Sequence, residues 1–153
     1  MTGYTVPEVI DSFRRPHGFL SNFAPAHIVL GSGAVAHSVE HAFQAAKCCY
    51  EDAAAEILAA PTPQDAKRLG RRAQLRTDWE AVKLPIMRDL LERKFTPGTA
   101  YSDQLLATGD SLLIEGNTWG DTYWGMVGGE GDNWLGHLLM ARRAELRGRS
   151  AVM

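Results

Sequence analysis

The ten residues SVEHAFQAAK, Ser38 to Lys47, constrain this chain most, because they read as a helix start with a stripe of reactive groups along one edge. Ser38 is placed to cap the helix and Val39 to open its first turn. At about 100° per residue, Glu40, Gln44 and Lys47 fall within an arc of roughly 60°, and Glu51 continues the same line. Val39, Phe43, Ala46 and Tyr50 gather about a quarter turn away, which makes theirs the face that packs on a core. A carboxylate, an amide and an ammonium therefore stand side by side on a helix expected to fade near Ala60. Periodicity taken alone favours a plainer reading, a solvated face with a Lys47–Glu51 ion pair one turn apart. The remaining motifs have to decide between the two.

Ahead of this helix, Val9 to Phe13 form a strand candidate, and Pro16 and Gly18 then break the pattern into a loop that carries Asn22 and Phe23. His27 to Leu30 and Ala34 to His37 suit a hairpin around Gly31-Ser32-Gly33, which delivers the chain to Ser38. A helix that begins at a strand end offers its N-terminus to anions, and Glu40 in the first turn is favoured by the macrodipole. Beyond Ala60, Thr62 can cap a second helix with Pro63 at its first position and Asp65 at capping-box spacing, and Gly70 is the expected stop. Lys67, Arg68, Arg71, Arg72 and Arg76 place five of the 16 Lys and Arg residues within ten positions. Such a cluster suits a phosphate and suits a solvated basic face equally well.

From Asp78 a longer pattern puts Trp79, Val82, Ile86, Met87, Leu90, Leu91 and Phe95 on one stripe, with Pro85 kinking or splitting it. A short helix around Ser102 to Ala107 stops at Gly109, and Leu112 to Glu115 read as a buried strand. The next stretch, GNTWGDTYWGMVGGEGDN from Gly116 to Asn133, is rich in glycine yet holds Trp119, Tyr123 and Trp124. Each indole taken singly reads as core packing. Together on a glycine-rich loop they can wall a planar ring system, with Asn117 and Asp121 supplying polar contacts. Asn133 is the expected cap of a last helix bearing Leu135, Leu138, Leu139 and Leu146.

A chain of 153 residues with 45% hydrophobic and 22% charged residues has the length and composition of one globular domain, taken as residues 1–153. Its net charge of −2 gives no global attraction to nucleic acid or to an anionic membrane. Cys48 and Cys49 are adjacent and do not suit a mutual disulfide. The five histidines lack zinc spacing, so neither metal nor cofactor is expected. With no signal-like start and no apolar run of about 20 residues, a cytoplasmic protein without membrane contact is the expectation.

Six ordered motifs resemble those of the NADAR, or YbiA-like, family: FLSNF (Phe19 to Phe23), SVEHAFQAAK, AKRLGR (Ala66 to Arg71), LLATGD (Leu105 to Asp110), EGNTWGDTYWG (Glu115 to Gly125) and NWLGHLLMARR (Asn133 to Arg143). The resemblance implies an α+β fold, mostly helical with a small β-sheet. It also implies hydrolysis of the N-glycosidic bond of phosphoribosylated compounds, such as early riboflavin-pathway intermediates, or of ADP-ribosylated ones, such as ADP-ribosyl-guanine. A non-catalytic module that binds ADP-ribose or a related nucleotide is the alternative. The partner is then a small nucleotide or ADP-ribosyl substrate, with ADP-ribosylated nucleic acid a further candidate. Carried onto this sequence, the motifs make Lys47, Glu40 and Asp121 the candidate catalytic groups. Asn22, Phe23, Gln44, Lys67, Arg71, Asn117, Trp119 and Trp124 are the candidate substrate-binding residues. Lys47 could attack C1′ as the ribose opens and form a Schiff base, or Glu40 or Asp121 could direct water.

Overall fold

The computed structural model describes Gly3 and residues 5–152, with side chains up to Arg149. Along the chain come β1 (Val9–Ile10), a 3-10 turn (Gly18–Leu20), β2 (Ile28–Val29), β3 (Val35–Ala36), α1 (Val39–Ala46), α2 (Glu51–Leu58), α3 (Pro63–Arg72), α4 (Trp79–Lys94), α5 (Ala100–Ala107), β4 (Leu112–Leu113) and α6 (Trp134–Val152). The architecture is α+β, with two two-stranded sheets where one small sheet is expected. The chain divides into two compact units, Asn22–Lys94 and the pair of segments Met1–Ser21 and Phe95–Met153.

In the Asn22–Lys94 unit, β2 and β3 form the anticipated antiparallel hairpin, Ile28 opposite Ala36 and Val29 opposite Val35. Gly33 turns it with φ at +87°, a conformation that favours glycine. Ser38 then caps α1, its hydroxyl accepting the His41 N–H at 3.0 Å. The His41 ring is pinned between the Ser38 hydroxyl (2.7 Å) and the Ala60 carbonyl (2.9 Å), which ties the start of α1 to the end of α2.

The single helix expected from Ser38 to Ala60 is in fact two. The backbone at Lys47–Cys49 leaves the helix to pair with the chain after α3: the Cys49 N–H donates to the Gln74 carbonyl (2.8 Å) and the Arg76 N–H to the Lys47 carbonyl (2.9 Å). These long-range bonds replace the next helical turn. Glu51 therefore opens α2 instead of continuing the polar line, and Tyr50, expected in the core, is exposed before it. Alanines Ala45, Ala60 and Ala66 surround Ile57 and form the small core where α1, α2 and α3 meet. Thr62 caps α3 by accepting the Asp65 N–H at 3.0 Å. Gly70 does not stop α3, which runs on to Arg72. α4 runs through Pro85 as one helix and buries Trp79, Met87, Leu90 and Leu91, with Trp79 against Phe43 at 5.0 Å between centroids.

In the other unit, β1 and β4 pair in parallel, Val9 with Leu112 and Ile10 with Leu113. Thr99 caps α5 in a reciprocal capping box with Ser102. Asn133 precedes α6 and its carbonyl accepts the His137 N–H, yet its side chain does not cap. It reaches back to the strand, accepting from the Glu115 N–H (3.0 Å) and donating to the Leu113 carbonyl (2.9 Å). Arg142 is buried and donates to the Phe95 carbonyl from two nitrogens. Among the described residues no helix is long and apolar enough to cross a membrane, and no cluster of three or more His, Cys, Asp or Glu could hold a metal ion.

Candidate functional site

The edge of α1 in the Asn22–Lys94 unit is buried, which removes the solvated-face reading. Glu40 and Gln44 each expose only 7% of their surface. One turn apart, they are joined by the Gln44 Nε2–H donating to Glu40 Oε1 at 2.8 Å. The Glu40 backbone N–H donates to the Asn22 carbonyl at 3.0 Å, so Asn22 is tied to the first turn of the helix. Lys47, half-buried, terminates α1 as its C-cap. Two buried polar atoms have no hydrogen-bond partner here, Asn22 Oδ1 and Gln44 Oε1. Buried polar atoms are nearly always paired, so an orphan acceptor at such a place points to a use beyond folding.

α3 supplies the cations. Arg68 is paired with Asp65 (2.9 Å), and beyond the helix Arg76 is paired with Asp78 (2.6 Å). Lys67 stands 5.9 Å from the centroid of the Phe23 ring, and both Lys67 and Arg71 act on the charge of Lys47. Gly70 lies in the seam of the two helices. A Cβ at that position would collide with the Gln44 carboxamide and come within 3.0 Å of Lys47 Cε, so only glycine allows this approach.

Burial sets the protonation of both reactive groups. It holds the Glu40 carboxyl above the usual carboxylate range, against the Gln44 hydrogen bond and the nearby Lys67, Lys47 and His41 charges. It also pulls the Lys47 ammonium below the usual lysine range, opposed by Glu40 and Cys48 and reinforced by Arg71 and Lys67. A carboxyl inclined to keep its proton thus neighbours an amine inclined to lose one. Opposed shifts at neighbouring groups mark a functional-site candidate.

The second set of residues lies in the other unit, on the loop between β4 and α6. Asn117 is buried, and its carboxamide brackets Asp121: Nδ2 donates to the Asp121 carbonyl (2.8 Å) and Oδ1 accepts the Asp121 N–H (3.0 Å). Asp121 Oδ1 in turn accepts from the backbone N–H groups of Tyr123 (3.1 Å) and Trp124 (2.9 Å). The half-buried Trp124 packs edge-on against Tyr123 at 4.8 Å. Trp119 is 56% exposed and lines, with Asn117, Arg14, Asp11 and Ser12, a cavity of about 480 Å³.

Residues 11–147 match the NADAR domain family. The chain belongs to the NADAR family. It is 42% identical over 139 residues to an N-glycosidase of Nostoc punctiforme, an alignment that covers 87% of this chain and 88% of that protein. It is 41% identical to the N-glycosidase YbiA of Escherichia coli, over 85% of this chain and 82% of YbiA. A riboflavin biosynthesis protein of Vibrio vulnificus is 40% identical, but the match spans 86% of this chain and only 36% of that longer protein. The NMR structure of Escherichia coli YbiA superposes with a TM-score of 0.81 at 36% identity, over 96% of this chain and 90% of that one. The fold is thus the NADAR fold.

Of the residues singled out from the sequence, Asn22, Phe23, Glu40, Gln44, Lys47, Lys67 and Arg71 fall in the Asn22–Lys94 unit, and Asn117, Trp119, Asp121 and Trp124 in the other. Sequence reasoning read Gly70 only as a helix stop and missed its place between Gln44 and Lys47. The signal was available: a glycine inside a helical pattern also marks a close approach. It missed Lys94 as well, which is 4% exposed and whose pKa burial lowers to about 7. A lysine at the end of an amphipathic stripe reads as solvated, and nothing in its neighbours says otherwise.

Proposed function

We propose that this chain is an N-glycosidase that hydrolyses the C1′–N bond of a phosphoribosylated or ADP-ribosylated amine. The observation that carries this reading is the pairing on one helix edge of buried Glu40, its pKa raised, with Lys47, its pKa lowered. Support comes from the family and from relatives named as N-glycosidases. A module that only binds an anionic nucleotide has no use for a buried carboxyl beside it.

The residues suit a covalent route. The lone pair of the glycosidic nitrogen forms C1′=N while the C1′–O4′ bond breaks, and O4′ takes the proton held by Glu40. Neutral Lys47 Nζ adds to C1′ and transfers a proton through Glu40 to the departing nitrogen. The C1′–N bond then breaks as a lysine Schiff base forms, and water hydrolyses that Schiff base to release the sugar. Lys67 and Arg71 hold the phosphate, as point charge and fork respectively. Trp119, exposed on the loop after β4, offers a stacking face to a planar base, while Asn117 and Asp121 hold that loop in shape.

This chemistry restricts the substrate. The nitrogen must carry a lone pair able to open the ring, which an exocyclic amine has and the pyridinium of NAD lacks. A product assay on riboflavin-pathway phosphoribosylamine intermediates, ADP-ribosylated guanine in DNA and free NAD tests it. Release of a free amine and a reducing sugar phosphate from one of the first two, with NAD intact, is the expected result. Tight binding of all three without any product would instead assign the chain to the nucleotide-binding modules.

A further inference from the structure

We propose that Gln44 and Gly70 form a brace that positions the Glu40 carboxyl, so that Gln44 serves the reaction through Glu40 and does not contact the substrate. This rests on the N-glycosidase reading only in giving Glu40 a proton to deliver. The geometry of the brace stands by itself.

A carboxamide has a donor end and an acceptor end, and in a buried site each fixes the other. The donor end of Gln44 is committed, Nε2 to Glu40 Oε1 at 2.8 Å. The acceptor end, Oε1, is buried without a hydrogen bond and lies against Gly70, where a Cβ would strike it and the adjoining Cδ. Only the Cα hydrogens of a glycine fit there, and they offer the carbonyl a weak C–H donor. α3 thereby closes over the amide and limits its movement. A Cβ at the same position would also come within 3.0 Å of Lys47 Cε. One backbone position thus leaves room both for the Gln44 carboxamide and for the Lys47 side chain.

The brace also bears on when Glu40 gives up its proton. Its hydrogen bond favours the ionised carboxylate, in opposition to burial, together with Lys67 of α3 and with Lys47 and His41 of α1. Arg71 of α3 acts on Lys47. Among the described residues no titratable group of α2, α4 or the β2–β3 hairpin is among the causes of the Glu40 shift. Without the Gln44 N–H, burial is opposed by the charges alone, and Glu40 holds its proton to higher pH.

The test uses Gln44→Met, which keeps the length of the side chain and removes both polar ends, and Gly70→Ala, which displaces the carboxamide. Titration of the side-chain carboxyls by NMR in protein carrying 13C-labelled glutamate needs no substrate and so is independent of whether the chain is an N-glycosidase. Glu40 should titrate at higher pH in both variants than in the wild type, and an unmoved Glu40 in Gln44→Met would overturn the brace. With a cleaved substrate in hand, Gln44→Met should lower kcat about tenfold or more while KM changes less than about threefold. A raised KM at unchanged kcat would overturn the proposal and return Gln44 to the substrate. The double variant should lose little beyond the worse single one, because both changes break the same contact; additive losses would overturn the shared brace. If Gly70→Ala does not fold, the Glu40 titration and the split between kcat and KM in Gln44→Met still decide the matter.

Discussion

The edge of α1 and the loop between β4 and α6 both present carboxylate, amide and large side chains, yet they treat their polar groups in opposite ways. On the loop, Asn117 and Asp121 are consumed by backbone: the amide brackets Asp121, and the carboxylate accepts from the N–H groups of Tyr123 and Trp124. At α1 the Gln44 Oε1 and, on the loop tied to its first turn, the Asn22 Oδ1 are buried without a hydrogen-bond partner, and the protonation of Glu40 and Lys47 is pushed away from solution values. The first pattern is how a chain makes an irregular segment rigid. The second is how a protein keeps groups ready to react. On the proposed reading, chemistry belongs to α1 and shape to the loop.

The most severe way to break that division is to exchange the nucleophile. Lys47→Arg keeps the charge and removes an amine able to form a Schiff base, so turnover should fall by about three orders of magnitude or more while ligand binding survives. Borohydride added during turnover should trap the sugar on wild-type Lys47, found by mass spectrometry, and leave no adduct on the variant. Glu40→Gln should lower turnover by about 10²- to 10⁴-fold. On the proposed covalent route the active form has Glu40 protonated and Lys47 neutral. Turnover therefore declines as pH rises and Glu40 loses its proton, and declines as pH falls and Lys47 gains one. Glu40→Gln should lose the alkaline decline and keep the acid one. A loss from Asp121→Asn equal to that from Lys47→Arg would move the chemistry to the loop and end the distinction.

Next in size is the phosphate. Arg71→Ala should weaken binding of phosphorylated substrate by about 1.5–3 kcal/mol, the range for a hydrogen bond to a charged group, with little change in melting temperature because the side chain is exposed. Equal affinity for phosphorylated and dephosphorylated ligand in the wild type would remove Arg71 and Lys67 from the site.

How far the sequence carried differs between the regions for a physical reason. Ser38 as a cap, the hairpin before it and the start of α3 at Thr62 were legible because each depends on bonds within a few residues. The break at Lys47–Cys49 was not, since it depends on pairing with Gln74 and Arg76, some 25 residues away and invisible to periodicity. Gly70 failed for the same cause: its partners Gln44 and Lys47 lie on another helix. Asn133 was placed correctly before α6, but its side chain answers to the strand and not to the helix. Glu40, Gln44 and Lys47 could be grouped from spacing alone, while the burial that shifts their protonation could not.

The loop's own test is structural before it is kinetic. Asp121→Ala deletes the acceptor of two backbone N–H groups and should destabilise the protein by about 1–3 kcal/mol, read as a lowered melting temperature. Asn117→Ala should act in the same direction. In both, any loss of turnover should track the loss of thermal stability. Loss of kcat at full thermal stability would instead make Asp121 a reacting group.

The smallest effect is expected at Trp119, and it is the sharpest probe of what the loop recognises. With 56% of its surface exposed beside a cavity of about 480 Å³, the indole contributes little to folding. Trp119→Ala should leave the melting temperature within about 2 °C, since one kcal/mol moves a domain of this size by roughly 2–4 °C. If it stacks on a planar base, the same change should weaken binding by about 1–3 kcal/mol, and Trp119→Phe should recover most of that loss because a phenyl ring retains a stacking face. Fluorescence gives an independent reading. Of the four tryptophans, Trp79 is buried against Phe43, Trp124 is packed on Tyr123 and Trp134 packs on His137, so a ligand with a planar base that stacks on Trp119 should quench an emission component that Trp119→Phe abolishes. Quenching that persists in Trp119→Phe would place the base elsewhere, and the exposed indole would then be no part of recognition.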